Sequence, residues 1–148
     1  RQTVHRARIR LRDARPLYVV PHHTHQQLLR AFADALDKAD LKSMMALMHS
    51  SAELIGDGGG IVSSFPKPMV GGARIAQLLL APTLRRRAEL RMVPALFNGR
   101  LGLLRFFDEH LESAMSFDTD GERITQILVQ RNPEKLARMA ANQPLALR

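Results

Sequence analysis

Four side chains along this chain of 148 residues are suited to acid–base or anion chemistry: Asp57, Arg105, Asp108 and His110. A carboxylate or imidazole can pass a proton, and a guanidinium can hold an anion. Nothing in their spacing forces them together, and each is equally explained as a turn residue or an exposed strand end. The only tyrosine, Tyr18, stands in a proline-bracketed stretch. No catalytic residue is assigned on this basis. His22, His23 and His25 form a second group, since neighbouring imidazoles can share a cation. No carboxylate or cysteine lies near them in sequence, so the expectation is exposed histidines at a helix start, with no metal and no cofactor. Phe32, Met92, Leu96, Phe106 and Met115 could line a small apolar pocket or simply fill the core. The run Asp57-Gly58-Gly59-Gly60 has glycines enough to cradle a phosphate, but no Gly-Lys-Ser/Thr follows it and no helix opens directly after it. It reads as a turn.

Composition bounds the rest. A chain of this length can bury one substantial core. No run of eighteen apolar residues is present, which argues against a helical membrane span. The opening residues have no apolar stretch of the kind found in a signal peptide, and the chain reads as a piece of a longer protein. Cysteine is absent, which excludes disulfides and thiolate metal sites and is compatible with a reducing compartment. The net charge of +8 is uneven: residues 1–16 hold six Arg against one Asp, whereas the remaining residues hold 16 Lys and Arg against 13 Asp and Glu. Charge alone makes residues 1–16 a solvated basic helix or linker.

The elements that must position these groups follow from periodicity. Pro16 and Pro21 bracket an extended stretch and mark a linker over 17–23. Thr24 with Gln27 forms a capping box, opening a helix whose stripe is Leu28, Phe32 and Leu36. Asp40 caps a shorter helix through Met48. Residues 52–57 form a strand that turns through Asp57 to Gly60 into 61–63, Phe65-Pro66-Lys67-Pro68 is a loop, and Gly71-Gly72 precedes a helix that Pro82 ends, followed by a solvated Arg85-Arg86-Arg87 run. Four antiparallel strands then follow, over 90–97, 101–107, 111–117 and 123–131, with turns at Asn98-Gly99 and Asp120-Gly121. Pro94 requires an edge strand or a bulge. Asn132 caps a final helix with Pro133 at its first position, Leu136 and Met139 inward, and Glu134, Lys135 and Arg138 in water. The order predicts an α+β domain.

Three of these runs carry a resemblance. The opening Arg1-Gln2-Thr3-Val4-His5-Arg6-Ala7-Arg8, the Asp57-Gly58-Gly59-Gly60 turn and Asn132-Pro133-Glu134-Lys135-Leu136 together resemble the C-terminal part of an extracytoplasmic-function (ECF) RNA polymerase sigma factor with a SnoaL-like extension. That family has a DGGGK-like motif early in the extension and an NPDKL-like motif near its end. Here Ile61 replaces the lysine and Glu134 the aspartate. The resemblance implies an NTF2-like cone of helices packed on a curved, mainly antiparallel sheet over 24–148. It also implies that residues 1–16 end a sigma region 4 helix-turn-helix, with Arg1, Gln2, His5 and Arg6 suited to DNA. The supporting helices of that domain are missing, so DNA binding by this chain alone is expected to be weak and strongly salt-dependent. Further implications are a cytoplasmic location, RNA polymerase core and promoter DNA as partners of the full-length protein, and contact of the tail beginning at Asn132 with its other sigma domains or with polymerase. Homodimerisation through the open sheet face is a further expectation. The alternative is a small-molecule-binding protein or enzyme of the same fold, of isomerase, cyclase or epoxide hydrolase type.

Overall fold

The computed structural model describes residues 22–60, 67–86, 90–97 and 99–141. The DNA-binding expectation for Arg1, Gln2, His5 and Arg6 lies outside these residues, as do the expectations for Tyr18, Ile61, Phe65-Pro66, Arg87 and Asn98. Ten elements follow in order: α1 (His22–Asp37), α2 (Leu41–Leu47), β1 (Met48–Asp57), β2 (Met69–Val70), α3 (Gly72–Arg86), β3 (Leu90–Phe97), β4 (Arg100–Phe107), β5 (His110–Thr119), β6 (Ile124–Gln130) and α4 (Pro133–Ala141). This is the expected α+β class, four helices on a six-stranded, mainly antiparallel sheet.

Helix α1 starts at His22, two residues before the expected Thr24 cap. Its inner stripe is Leu28, Leu29, Phe32, Ala35 and Leu36, all buried. The helix ends in a Schellman turn: the Asp40 amide donates to the Ala35 carbonyl at 2.9 Å and the Ala39 amide to that of Leu36 at 3.2 Å. Ala39 therefore sits at φ +52°, a left-handed conformation for a residue with a Cβ. Asp40 at once caps α2, its Oδ1 accepting from the Ser43 amide at 3.1 Å. Met48, expected on this helix, instead opens β1.

Helix α3 runs through Pro82 instead of ending there. Pro82 has no amide for the Leu78 carbonyl, a loss of about 3 kcal/mol in an isolated helix. Ile75, Ala76, Leu79 and Leu80 bury their side chains in the turns before it and Thr83 just after it, so packing holds the helix for another turn.

The sheet order is β2-β1-β6-β5-β4-β3. Phe97 pairs with Arg100 and Gly99 has φ +78°, while at the second turn the Asp120 carboxylate caps the amides of Glu122 and Arg123, as expected of Asp120-Gly121. Pro94 lies on β3, an edge strand. The β4–β5 hairpin closes through Asp108 and Glu109, both at positive φ. Strand β1 lies between β2 and β6, parallel to β6, and so joins the beginning of the described chain to its end.

The sheet separates two apolar layers. On one face Leu54, Leu103, Met115, Phe117, Ile127 and Val129 meet α1, α2 and α3, with Phe32 and Phe117 edge to face at 4.8 Å. On the other, Ala95, Leu104 and Ala114 receive Leu136 of α4. Among the described residues no helix is long and apolar enough to cross a membrane. Replacing Ala39 by glycine, which has no Cβ to strain the left-handed position, is expected to stabilise the fold by about 1 kcal/mol, read as a higher urea midpoint at unchanged slope.

Candidate functional site

The two glycine- and proline-containing motifs, separated by about half the chain, meet in space. The Asp57 carboxylate at the end of β1 is the joint. Its Oδ1 accepts from the Gly59 amide at 2.9 Å, and its Oδ2 accepts from Gln130 Nε2 at 3.2 Å and from Lys135 Nζ at 2.8 Å. The Asp57 carbonyl accepts from the Arg131 amide at 2.7 Å, continuing the parallel β1–β6 ladder. Gln130 completes a bridge, because its Oε1 accepts from the Asn132 amide at 3.0 Å. Asn132 caps α4, its Oδ1 accepting from the Glu134 amide at 3.0 Å and its carbonyl from the Leu136 amide at 2.9 Å.

The turn explains the glycine. Gly59 has φ +63°, and a Cβ there would stand 2.6 Å from Asn132 Cγ. Only a residue without a side chain both adopts that backbone and lets the Asn132 amide close against it. Gly58 is buried and Gly60, at φ +75°, faces open space. Lys135 departs from expectation: instead of facing water it folds back onto Asp57, leaving its side chain 29% exposed against 11% for Asp57. Leu136 is buried, as expected, while Glu134 and Pro133 are exposed.

Burial by itself would raise the Asp57 pKa. The hydrogen bond from Lys135, those from Gly59 and Gln130, and the Lys135 charge outweigh it, and the carboxyl is held below its ordinary value. Asp57 is thus an ionised tie, poorly suited to carry a proton in catalysis near neutral pH.

The other expected acid–base groups are dispersed. Asp108 occupies a hairpin turn at φ +48° and His110 opens β5, both exposed. His22 and His23 are exposed, but His25 is buried, its Nε2 bonded to the Leu101 carbonyl at 2.8 Å, because its position on α1 points at the sheet. The pocket-lining set divides: Phe32, Met92 and Met115 belong to the helix-covered layer, Phe106 packs on the opposite face, and Leu96 is half exposed on the edge strand.

Arg105 does find a site, with a partner that the sequence reading missed. Its Nε and Nη2 each lie 2.9 Å from Glu112 Oε2, its Nη1 reaches the Leu79 carbonyl of α3 at 3.5 Å, and its guanidinium lies 5.4 Å from the centre of the Phe107 ring. The Ser113 hydroxyl donates to the same oxygen at 2.7 Å, and Arg131 Nε stands 3.1 Å from Glu112 Oε1. A β-bulge brings this about. Arg105 pairs with Ser113 and Phe106 with Leu111, which leaves Glu112 as the extra residue on β5. Burial pushes the Glu112 pKa up, but Arg105, Ser113 and Arg131 together hold it below the ordinary value.

Asp57→Asn and Lys135→Ala each remove one member of the clasp and are expected to destabilise the fold by about 1–3 kcal/mol. Because the Asp57 pKa is lowered on folding, the clasp contributes fully above the ordinary carboxylate range and fades as pH falls below it. Denaturation followed from pH 7 to pH 3 should show a smaller acid loss in Asp57→Asn than in the parent. Gly59→Ala meets both the left-handed backbone and Asn132, and a loss of at least about 2 kcal/mol is expected in the same assay.

No family model and no curated protein matches the chain. Solved structures do. The chain is similar to the extracytoplasmic function sigma factor SigJ of Mycobacterium tuberculosis, with 18% identity and a TM-score of 0.62 over 77% of this chain and 44% of that one. It is similar to a SnoaL-like protein of unknown function from Burkholderia thailandensis, with 14% identity and a TM-score of 0.58 over 76% of this chain and 97% of that one. It is also similar to a protein from Xanthomonas campestris proposed to be a polyketide cyclase, with 16% identity and a TM-score of 0.50 over 80% and 97%. The chain thus spans less than half the length of the sigma factor. At these identities the likeness establishes the fold, and the chain folds as an NTF2-like, SnoaL-like cone.

Proposed function

We infer that this chain is the regulatory domain of an alternative ECF sigma factor, and that it modulates how the full-length protein recruits RNA polymerase and starts transcription at its promoters. The observation that carries this reading is the clasp: the two runs that resemble sigma-factor extension motifs form one unit, Asp57 bound to Lys135 and Gly59 packed on Asn132. The shared fold with a sigma factor supports it. In this reading α4 is the regulatory arm, and Glu134, Arg138 and the exposed glycines beside it present the surface that other sigma domains or the polymerase core would touch. Arg1, Gln2, His5 and Arg6 would then contribute to promoter binding in the full-length protein, which works in the cytoplasm.

A ligand-binding or enzymatic domain of the same fold is the second reading, and the Arg105–Glu112–Arg131 cluster on the helix-covered face favours it. Proteins of this fold include one proposed to be a cyclase. The described ionisable groups of that cluster are already paired with one another, which leaves the sigma reading ahead.

Run-off transcription with polymerase core separates the two. The intact full-length protein, a truncation before Asn132, and the Lys135→Ala variant are compared on one promoter. Transcript yield is expected to change several-fold on truncation and in the same direction, by less, for Lys135→Ala. Equal yields from all three would remove the regulatory role.

A further inference from the structure

The carboxylate of Glu112 is divided between two sets of neighbours. Its Oε2 serves Arg105 and the Ser113 hydroxyl, and its Oε1 faces Arg131 Nε at 3.1 Å, a charge contact rather than an aligned hydrogen bond. The Arg131 backbone has a different partner, its amide donating to the Asp57 carbonyl at 2.7 Å. On either side of it, Gln130 reaches the Asp57 carboxylate and Asn132 caps α4. One short peptide segment is therefore held from both faces of the sheet, by Glu112 through the Arg131 side chain and by Asp57 through the residues around it. In the other direction, Arg105 Nη1 lies 3.5 Å from the Leu79 carbonyl, so a run of polar contacts leads from α3 on the inner face to α4 on the outer.

Such a run transmits a change only where one end has two arrangements. Helix α4 meets that condition. It has nine residues, Leu136 is its buried side chain, and the Lys135–Asp57 pair fastens it from outside, so it can open locally while the rest of the domain stays folded. The closed arrangement keeps the Arg131 amide on the Asp57 carbonyl, and a side chain anchored at Glu112 narrows the positions open to that backbone. We propose that Glu112 acts through Arg131 to hold α4 closed, so that the inner-face ion cluster and the outer-face clasp open and close as one unit. Glu112 need be only one anchor of Arg131 among others. An event that draws Glu112 from Arg131, such as a shift of α3 carrying Arg105, then loosens α4 on the opposite face. By reciprocity, a partner that pulls α4 away loosens the Glu112–Arg131 contact. In the sigma-factor reading this gives the regulatory arm an input from the inner face; the coupling itself is a property of the fold and stands without that reading.

Amide hydrogen exchange read by NMR on the intact chain tests this with no polymerase present, so its result is independent of the run-off assay. The reporter is the Leu136 amide, bonded to the Asn132 carbonyl in the first turn of α4, and the reference is the Ile75 amide, bonded to the Gly71 carbonyl at the start of α3. Glu112→Gln keeps the shape and removes the charge. Arg131→Gln leaves the buried Glu112–Arg105 pair in place and decides the matter should Glu112→Gln unfold. Each is expected to speed exchange at Leu136 about tenfold beyond any change at Ile75. Asp118→Asn removes the same charge from an exposed pair with Arg100 and should leave the ratio of the two rates unchanged. Lys135→Ala opens the clasp directly: it should speed Leu136 about tenfold in the parent and less than about threefold in the Arg131→Gln background, the non-additivity of linked sites. An unchanged ratio in Arg131→Gln would overturn the proposal, as would a full tenfold effect of Lys135→Ala in that background.

Discussion

One carboxylate, that of Asp57, ties the end of β1 to β6 and to the last described helix. It terminates β1, orders the glycine turn, receives the side chain of β6 through Gln130 and holds the ammonium of α4 through Lys135. Two stretches distant in sequence, residues 57–59 and 130–135, thus meet at two oxygen atoms. The arrangement is more secure than an exposed ion pair, because hydrogen bonds from a backbone amide and a side-chain amide supplement the charge and because the site is largely removed from water. It also explains why the glycine beside Asp57 matters: a side chain at Gly59 would push Asn132 aside, and with it the cap of the helix that carries Lys135.

The sheet is a partition between two kinds of chemistry. Helices α1 to α3 cover one face with an apolar layer into which Arg105 and Glu112 intrude near one end, and α4 covers part of the other. Arg131 and Lys135, four residues apart, serve opposite sides: the first turns to Glu112 on the inner face and the second to Asp57 on the outer. The segment between β6 and α4 therefore couples both charged clusters. A displacement of α4 would be felt in the backbone that also carries Arg131.

Much of this fold was legible in the sequence, and the exceptions have physical causes. Hairpin geometry is local, so Gly99 and Asp120-Gly121 marked their turns, and Pro94 marked an edge because a missing donor cannot serve a central strand. Asp40 and Asn132 read as caps for the same reason. Pro82 misled because its local cost is fixed while the compensating burial of Leu79, Leu80 and Thr83 depends on tertiary packing. The parallel pairing of β1 with β6 leaves no trace in either strand, since period-two patterning says which face is buried and nothing about the neighbour. Both motifs of the clasp were visible, but their meeting was not, and Lys135 looked like any solvent-facing helix lysine. Glu112 was hidden by the bulge: strict alternation puts it on the face opposite Arg105, and one extra residue turns it back. A charged residue beside Ser113, in a strand otherwise alternating cleanly to Phe117, was the available signal.

The parallel β1–β6 pairing also sets the order of events during synthesis. Residues 48–57 leave the ribosome long before residues 124–130, so β1 waits without its main partner while the intervening chain is made. Closing that gap requires a loop of some seventy residues, a slow step relative to the three hairpins that form among later neighbours. The helix that carries Lys135 emerges after β6. The nascent domain therefore reaches its native arrangement only once its last described element, α4, has appeared.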